Sequence, residues 1–241
     1  MSKPMRLTWF FLFCLTLAQP VSAATLFLTT EIYPPYITRS ADGSVQGIYI
    51  DQIKILMSET GTKYQLAVMP WARAIALART QEMHCAFATA RTAERENQFR
   101  WVSPIHKGRS ILVARSTATI NPASLDEATK YRIGTQRGDY TVTLLNSIGF
   151  SKIDLGADFS ITLNKLKAGR IDLMPMADMT FKSLPTGEFR EVLTLTTQQF
   201  GLACNKSVPK SLIERLQARL ERIIADGRQN KIFARYGLTV D

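Results

Sequence analysis

Apolar and polar positions along this chain switch repeatedly between a strand period and a helix period. Thr25 to Thr30 (TLFLTT) is a short apolar run of the kind that forms a buried strand, and Glu31-Ile32-Tyr33-Pro34-Pro35-Tyr36 ends it in a turn. Asp42-Gly43 marks another turn. After Gly47 the spacing becomes helical: Ile53, Leu56 and Met57 fall at i, i+3 and i+4, which predicts a helix over 51 to 60 with Gly61 as its C-cap. Tyr64 to Val68 alternates as a second strand, Trp71 to Arg79 forms a helix with Ile75 and Leu77 among alanines, and Cys85 to Thr89 makes a third strand. Short links join strand, helix, strand, helix and strand, which is the sequence form of a parallel α/β unit.

The form recurs. Tyr131 to Gly134 starts a strand, Tyr140 to Ile148 is a helix with Leu144, Leu145 and Ile148 on one side, and Ile153 to Leu155 is a short strand. A helix over 158 to 168 and a strand over 171 to 176 follow. The last helix, 210 to 225, carries Leu212, Ile213, Leu216, Leu220 and Ile223 at helical spacing and stops at Asp226-Gly227. Ile111 to Arg115 and Phe200 to Asn205 read as extended, so they suit segments that cross between two lobes. In parallel sheets ligands collect beyond the carboxyl ends of the strands, a rule that selects the turn after the first strand, Pro70-Trp71 after the second and Ala90 to Arg95 after the third.

The first residues change the picture of where this chain works. Lys3 and Arg6 precede an apolar run from Leu7 to Ala18, which ends in Val21-Ser22-Ala23, the layout of a signal peptide cleaved after Ala23. The run is shorter than the roughly 20 residues that span a bilayer, and Cys14 lies inside it without the small residues that precede a lipidated cysteine, so neither an anchor nor a lipoprotein is expected. Export to the periplasm follows. Losing Lys3 and Arg6 takes the formal net charge from +10 to +8. The basic residues are spread without a block of five or six, which describes a solvated surface and leaves nucleic acid out. Cys85 and Cys204 each sit in an apolar run, where buried thiols are the ordinary state, although an oxidising compartment would permit a bridge.

The Glu31 to Tyr36 turn, Gly47 followed by Asp51, Thr92-x-x-Arg95, Phe99 to Pro104 (FRWVSP), Ile133 to Gly138 (IGTQRG), Leu166 to Asp172 (LKAGRID) and the terminal Ala234 to Gly237 (ARYG) occur in an order that resembles the bacterial extracellular solute-binding proteins of family 3. The resemblance covers essentially the whole mature chain. It implies an α/β, two-lobed, periplasmic-binding-protein-like fold, a type II Venus flytrap in which each lobe is a mainly parallel sheet flanked by helices. The first lobe would take 24 to 112 plus 202 to 241, the second 113 to 201, and the lobes would close on a ligand between them.

Candidate binding residues follow from both lines. Arg95 falls on the family's carboxylate-binding position, and its planar donor fork matches a carboxylate; the alternative is a surface pair with Glu94 or Glu96. Tyr33 and Trp71 align with the stacking positions, while Tyr36 either joins them or packs in its turn. Glu31 ends the first strand. Asp139, beside Tyr140, either meets a ligand amine or serves as a helix N-cap. The aspartate that holds the α-amino group in relatives has no clean counterpart: Ala177 is aligned, and Asp178 is one residue later. Ala88 and Ala90 replace the usual serines. Arg73 and Arg91 either face the mouth, making the ligand more anionic than a zwitterion, or are solvated.

The expected function is therefore a monomeric periplasmic receptor that captures a small polar, carboxylate-bearing, anionic or zwitterionic solute and hands it to the membrane permease of an ABC transporter. No cofactor or metal is expected. Two alternatives share the fold: an enzyme like cyclohexadienyl dehydratase, with Glu31 or Asp139 as general acid or base, and a sensory ligand-binding module. The chain's histidines, His84 and His106, form no triad or metal spacing, and Cys85 has no evident base, so the receptor is the first reading.

Overall fold

A computed structural model describes residues 25–239. The predicted signal peptide therefore lies outside the described residues. Strand β1 (Leu26–Thr30) buries Leu26 and Leu28 completely, because parallel neighbours flank it on both sides. A turn and the two-residue strands β2 (Thr38–Arg39) and β3 (Val45–Gln46) lead into helix α1 (Ile48–Glu59). Gly47 makes that approach possible: its φ is 128°, and a Cβ there would stand 2.4 Å from the Tyr36 carbonyl oxygen. Strand β4 (Tyr64–Val68), helix α2 (Trp71–Thr80), strand β5 (His84–Ala90) and the short helix α3 (Ala93–Glu96) complete this part of the first lobe.

Strand β6 (Arg100–Arg115) then runs 16 residues out of that lobe into the next. There α4 (Leu125–Ala128), β7 (Ile133–Gln136), α5 (Tyr140–Ile148), β8 (Ile153–Gly156), α6 (Phe159–Lys167), β9 (Met174–Ala177) and α7 (Asp178–Ser183) follow. Strand β10 (Phe189–Cys204), also 16 residues, brings the chain back antiparallel to β6. Helices α8 (Lys210–Ala225) and α9 (Arg228–Arg235) close the first lobe, with Leu212, Ile213, Leu216, Leu220 and Ile223 of α8 in the same core as Ile53, Leu56 and Met57 of α1.

The large sheet has the order β4-β1-β5-β10-β6-β9. Its β4-β1-β5 part is parallel, β10 and β6 continue it antiparallel, and β9 lies antiparallel on the far half of β6. In the second lobe β7 and β8 pair in parallel, and β7 reaches β9 through the bond from Gly134 N to Leu173 O at 3.0 Å. Separate apolar clusters fill the two lobes: one packs β1, α1, α8 and α9, while another gathers Leu112, Ile133, Leu145 and Phe150.

Two expectations change. The crossover segments foreseen at 111 to 115 and 200 to 205 are only the ends of β6 and β10, whose middles carry Lys107-Gly108-Arg109 and Thr196-Thr197-Gln198-Gln199. Those polar stretches hide the strands from a periodicity search because they run between the lobes, not through a core. Cys85 and Cys204 are not free thiols: they are facing residues of β5 and β10, and they form a disulfide across a 3.9 Å Cα separation. Antiparallel pairing of segments 119 residues apart created that proximity, which sequence spacing cannot display.

Candidate functional site

The carboxyl ends of β1, β5 and β7 and the start of α2 and α5 converge between the lobes around a cavity of about 60 Å³. Tyr33, Tyr36, Tyr49, Trp71, Tyr140 and Phe200 bring rings to its wall, Met176 adds a thioether, and Glu31 and Asp139 bring the two carboxyls. Among the described residues that line it there is no lysine, arginine or histidine.

Glu31 ends β1 and is 7% exposed. Its Oε2 accepts a hydrogen bond from Gln136 Nε2 at the end of β7, so one bond ties the two lobes. Burial, then the charge of Asp139 and finally that of Asp158 push the Glu31 carboxyl up to about 8, against a smaller opposite effect of the Gln136 bond. The carboxyl is therefore mostly protonated at pH 7. It also borders a wider groove of about 540 Å³ between the lobes, walled by Met69, Phe159, Leu163 and Asp158.

Asp139 serves both roles that its position allowed. Its Oδ1 accepts from Thr141 N at 2.8 Å and from Thr141 Oγ1 at 2.6 Å, which caps α5, and the side chain still lines the cavity. Tyr140 follows at the start of α5, its hydroxyl bonded to Ser110 Oγ on β6. Tyr33 packs edge-on against Phe159 at 4.7 Å, and its hydroxyl accepts a bond of 3.1 Å from Ala177 N. Tyr36 stacks on Tyr49 at 4.7 Å and approaches His106 Nε2 at 3.4 Å. Burial raises the phenol pKa of each of these tyrosines.

Two of the bonds between the lobes meet at one carbonyl. Gly138 O accepts from Trp71 Nε1 at 3.0 Å and from Arg95 Nη2 at 2.8 Å, both from the first lobe. Gly138 has φ +73°, and a Cβ there would lie 3.2 Å from Ala72 Cα, so glycine lets the β7 to α5 turn sit against α2. Thr180 Oγ1 adds a bond of 2.7 Å to Pro34 O. Arg95 is buried, which holds its pKa below the usual arginine value against the opposing charge of Asp139. Its Nη1 is buried without a hydrogen-bond partner.

Six of the expected residues, Glu31, Tyr33, Tyr36, Trp71, Asp139 and Tyr140, thus meet around one cavity, and four do not line it. Arg95 reaches Gly138 beside the wall. Arg91 pairs with Glu96 at 2.6 Å and lies over the Trp101 ring at 5.7 Å, and Arg73 is exposed on α2. Asp178 starts α7, where Oδ1 accepts from Met179 N at 2.8 Å and Oδ2 lies 3.8 Å from Arg109 Nε and 3.5 Å from Lys182 Nζ. Its aligned neighbour Ala177 lines the cavity, and Asp178 does not. Sequence reasoning missed Gln136, Tyr49, Ser110 and Phe200. Gln136 was findable, since it ends β7 and the strand-end rule applies to both lobes. Tyr49 and Phe200 looked like ordinary apolar positions of a helix and a crossover strand.

Two α/β lobes joined by a pair of long strands, with an aromatic cavity between them, define a clamshell binding protein of the periplasmic type. The family model of the bacterial extracellular solute-binding proteins, family 3, matches residues 26–239, and the chain belongs to that family. Solved structures of the same fold include an ancestral arginine-binding protein bound to arginine, 22% identical with a TM-score of 0.78, the match covering 88% of this chain and 97% of that one. The arginine-, lysine-, histidine-binding protein ArtJ from Geobacillus stearothermophilus is 16% identical with a TM-score of 0.80, over 90% of this chain and 96% of its own. A histidine kinase sensor domain with similarity to periplasmic binding proteins is also 16% identical with a TM-score of 0.80, over 90% and 97%. At these identities the likeness is one of fold. No helix among the described residues is long and apolar enough to cross a membrane.

Proposed function

We propose that this chain is a periplasmic receptor that captures a small amino-acid-like solute between its lobes and delivers it, as a monomer, to the permease of an ABC transporter. The observation that carries the proposal is the cavity itself: aromatic side chains of both lobes wall it, and bonds from Trp71, Arg95 and Gln136 close the lobes over it. The division into residues 24–112 with 202–241 and 113–201 is part of this reading, with the middles of β6 and β10 as the hinge. Arg95 has one terminal nitrogen on Gly138 O and the other buried without an acceptor beside the cavity wall, which supports a donor role toward a ligand carboxylate. The family and the amino-acid receptors of like fold support a binding role over catalysis.

Thermal-shift screening of the mature protein against amino acids, organic acids, polyamines and short peptides tests the proposal. A true ligand at 100 times its dissociation constant adds about 2.7 kcal/mol of stability. Arg95→Ala is expected to remove most of that shift. An undiminished shift in the variant would refute the carboxylate role, and a panel without any hit would refute the receptor. The sensor-domain likeness favours a second reading, in which the same closure signals to a membrane kinase. Capture of this chain by a kinase ectodomain, and not by a permease, in the presence of ligand would select it.

A further inference from the structure

His106 stands directly behind the cavity wall without lining it. It is the last buried residue of β6 before the polar crossing, and it faces Phe200 across the β6 to β10 ladder. Four rings surround its imidazole, with centroid distances of 5.3 Å to Phe233 of α9, 5.4 Å to Tyr36 of the first turn, 6.2 Å to Tyr49 of α1 and 6.3 Å to Phe200 of β10. Three of these, Tyr36, Tyr49 and Phe200, belong to the cavity wall. His106 Nε2 also lies 3.4 Å from the Tyr36 hydroxyl, so the imidazole meets the wall through its ring and through one polar atom.

Gly108 supplies the second observation. The pairing of β6 with β10 is unbroken from His106 to Ser110, so residues 106, 108 and 110 share one face of the strand. On that face Ser110 lines the cavity, His106 backs its rings, and Gly108 lies bare between them. A Cβ at Gly108 would stand 2.5 Å from His106 Nε2 and 3.3 Å from its Cδ2, so the imidazole occupies the space that a side chain at 108 would take. The φ of Gly108 is outside the left-handed region; the imidazole, not the backbone, requires glycine there. Gly108 is also in the middle of β6, within the segment proposed above as the hinge. We propose that His106 is a positioning residue of the binding site: resting on the Gly108 backbone at the crossing, its imidazole sets the Tyr36, Tyr49 and Phe200 side of the cavity wall and couples that wall to the hinge. The proposal rests on the receptor reading and adds to it a residue that the ligand need not touch. Close packing gives the coupling its physical basis, because a ring clasped among four others and a backbone cannot shift alone. A turn of the β6 backbone at 107 to 109 as the lobes move displaces the surface on which the imidazole rests, and Tyr36 follows through its hydroxyl. An aliphatic residue at 106 would fill the volume and leave Tyr36 without that polar neighbour.

Titration calorimetry of the mature protein with L-arginine, L-lysine, L-histidine, L-glutamine and L-glutamate selects the tightest binder, and a double-mutant cycle read with that probe isolates the coupling between His106 and Gly108. Gly108→Ala is expected to push the imidazole aside and lower affinity about tenfold, and His106→Ala to lower it by about the same factor. With the imidazole gone the methyl group has room, so Gly108→Ala added to His106→Ala is expected to change affinity by less than about twofold. His106→Gln keeps a polar end for Tyr36 and should bind within about threefold of the unaltered protein, whereas His106→Leu should lose about tenfold at a comparable Tm. Equal effects of Gly108→Ala in both backgrounds, or no effect in either, overturn the proposal. So does His106→Leu binding as tightly as the unaltered protein. The rings also report without any ligand: in proton–carbon correlation spectra the Tyr36 and Tyr49 ring signals are expected to move in Gly108→Ala. Unmoved signals overturn the proposal even where His106→Ala does not fold or none of the five amino acids binds. The receptor reading falls only with the whole screening panel, so the two fail separately.

Discussion

Glu31 is the residue at which fold and chemistry meet most closely. An ordinary glutamate titrates near 4.5, whereas burial beside Asp139 raises this one to about 8. The folded chain therefore holds a proton between those values that the unfolded chain gives up. Its contribution to stability is complete below about pH 4.5 and declines as pH rises through 8. Melting of the ligand-free protein followed by circular dichroism is expected to show a falling Tm from pH 5 to pH 8, at about 2–4 °C per kcal/mol for a domain of this size. Glu31→Gln should flatten that slope, and an equal slope in the variant would assign it elsewhere. Trp71 offers a second test. It is 2% exposed, lines the cavity and donates to Gly138 O, so Trp71→Phe, which keeps the ring and loses the donor, is expected to weaken ligand affinity roughly tenfold, in accord with a lost buried bond of about 1.4 kcal/mol. Both residues were legible in the sequence, because they stand just past strand ends. Arg95 was named from the sequence but with a ligand carboxylate or a neighbouring glutamate as its partner, and Gln136 was passed over although it ends a strand; only the folded arrangement shows that they bond Gly138 O and Glu31.

At the scale of elements, the β7 to α5 turn controls closure because its backbone carries the latch. Gly138→Ala puts a Cβ against Ala72 and forces a left-handed conformation on alanine, which costs about 1–2 kcal/mol. Lobe closure should suffer more than folding. Ligand affinity is expected to fall several-fold with a Tm within a few degrees of the unaltered protein, and a loss of Tm without loss of affinity would contradict the latch. The β5 and β10 pairing makes a different prediction. Their disulfide closes a separation of 119 residues, worth about 5 kcal/mol on the chain-entropy account, and the loss of a native disulfide costs about 2–5 kcal/mol. Replacing both Cys85 and Cys204 by alanine is expected to lower Tm by about 10 °C in thermal melts. Both sulfurs are in a fully buried strand pair, so mild reductant should leave the native bond intact. Periodicity found the helices α1, α2, α5, α6 and α8 and the strands β1, β4 and β5 close to their observed bounds, since each presents one clean face to a core. It shortened β6 and β10, since their central residues face solvent at the crossing, and it overlooked α3, α4, α7 and α9, which are too short to carry a period.

For the whole molecule, closure draws on bonds between the lobes that include Gln136 to Glu31, Trp71 and Arg95 to Gly138, Ala177 to Tyr33, and Thr180 to Pro34. Removing two of them in Arg95→Ala with Gln136→Ala is expected to raise the radius of gyration measured by small-angle scattering above the ~17 Å of a compact chain of this length. An unchanged value would move the weight of closure to the apolar contact between Tyr33 and Phe159. The sequence by itself determined two α/β units, the strand ends that bear Glu31 and Trp71, the helix start that bears Asp139, and membership in a solute-binding family, because local periodicity and turn chemistry are written in neighbouring residues. Tertiary structure alone decided that Cys85 bonds Cys204, that Arg95 latches a carbonyl of the other lobe, and that acids and rings from both lobes meet in one cavity wall. Each of these joins segments separated by tens of residues or more, and such pairings exist only once long strands have folded the two lobes against each other.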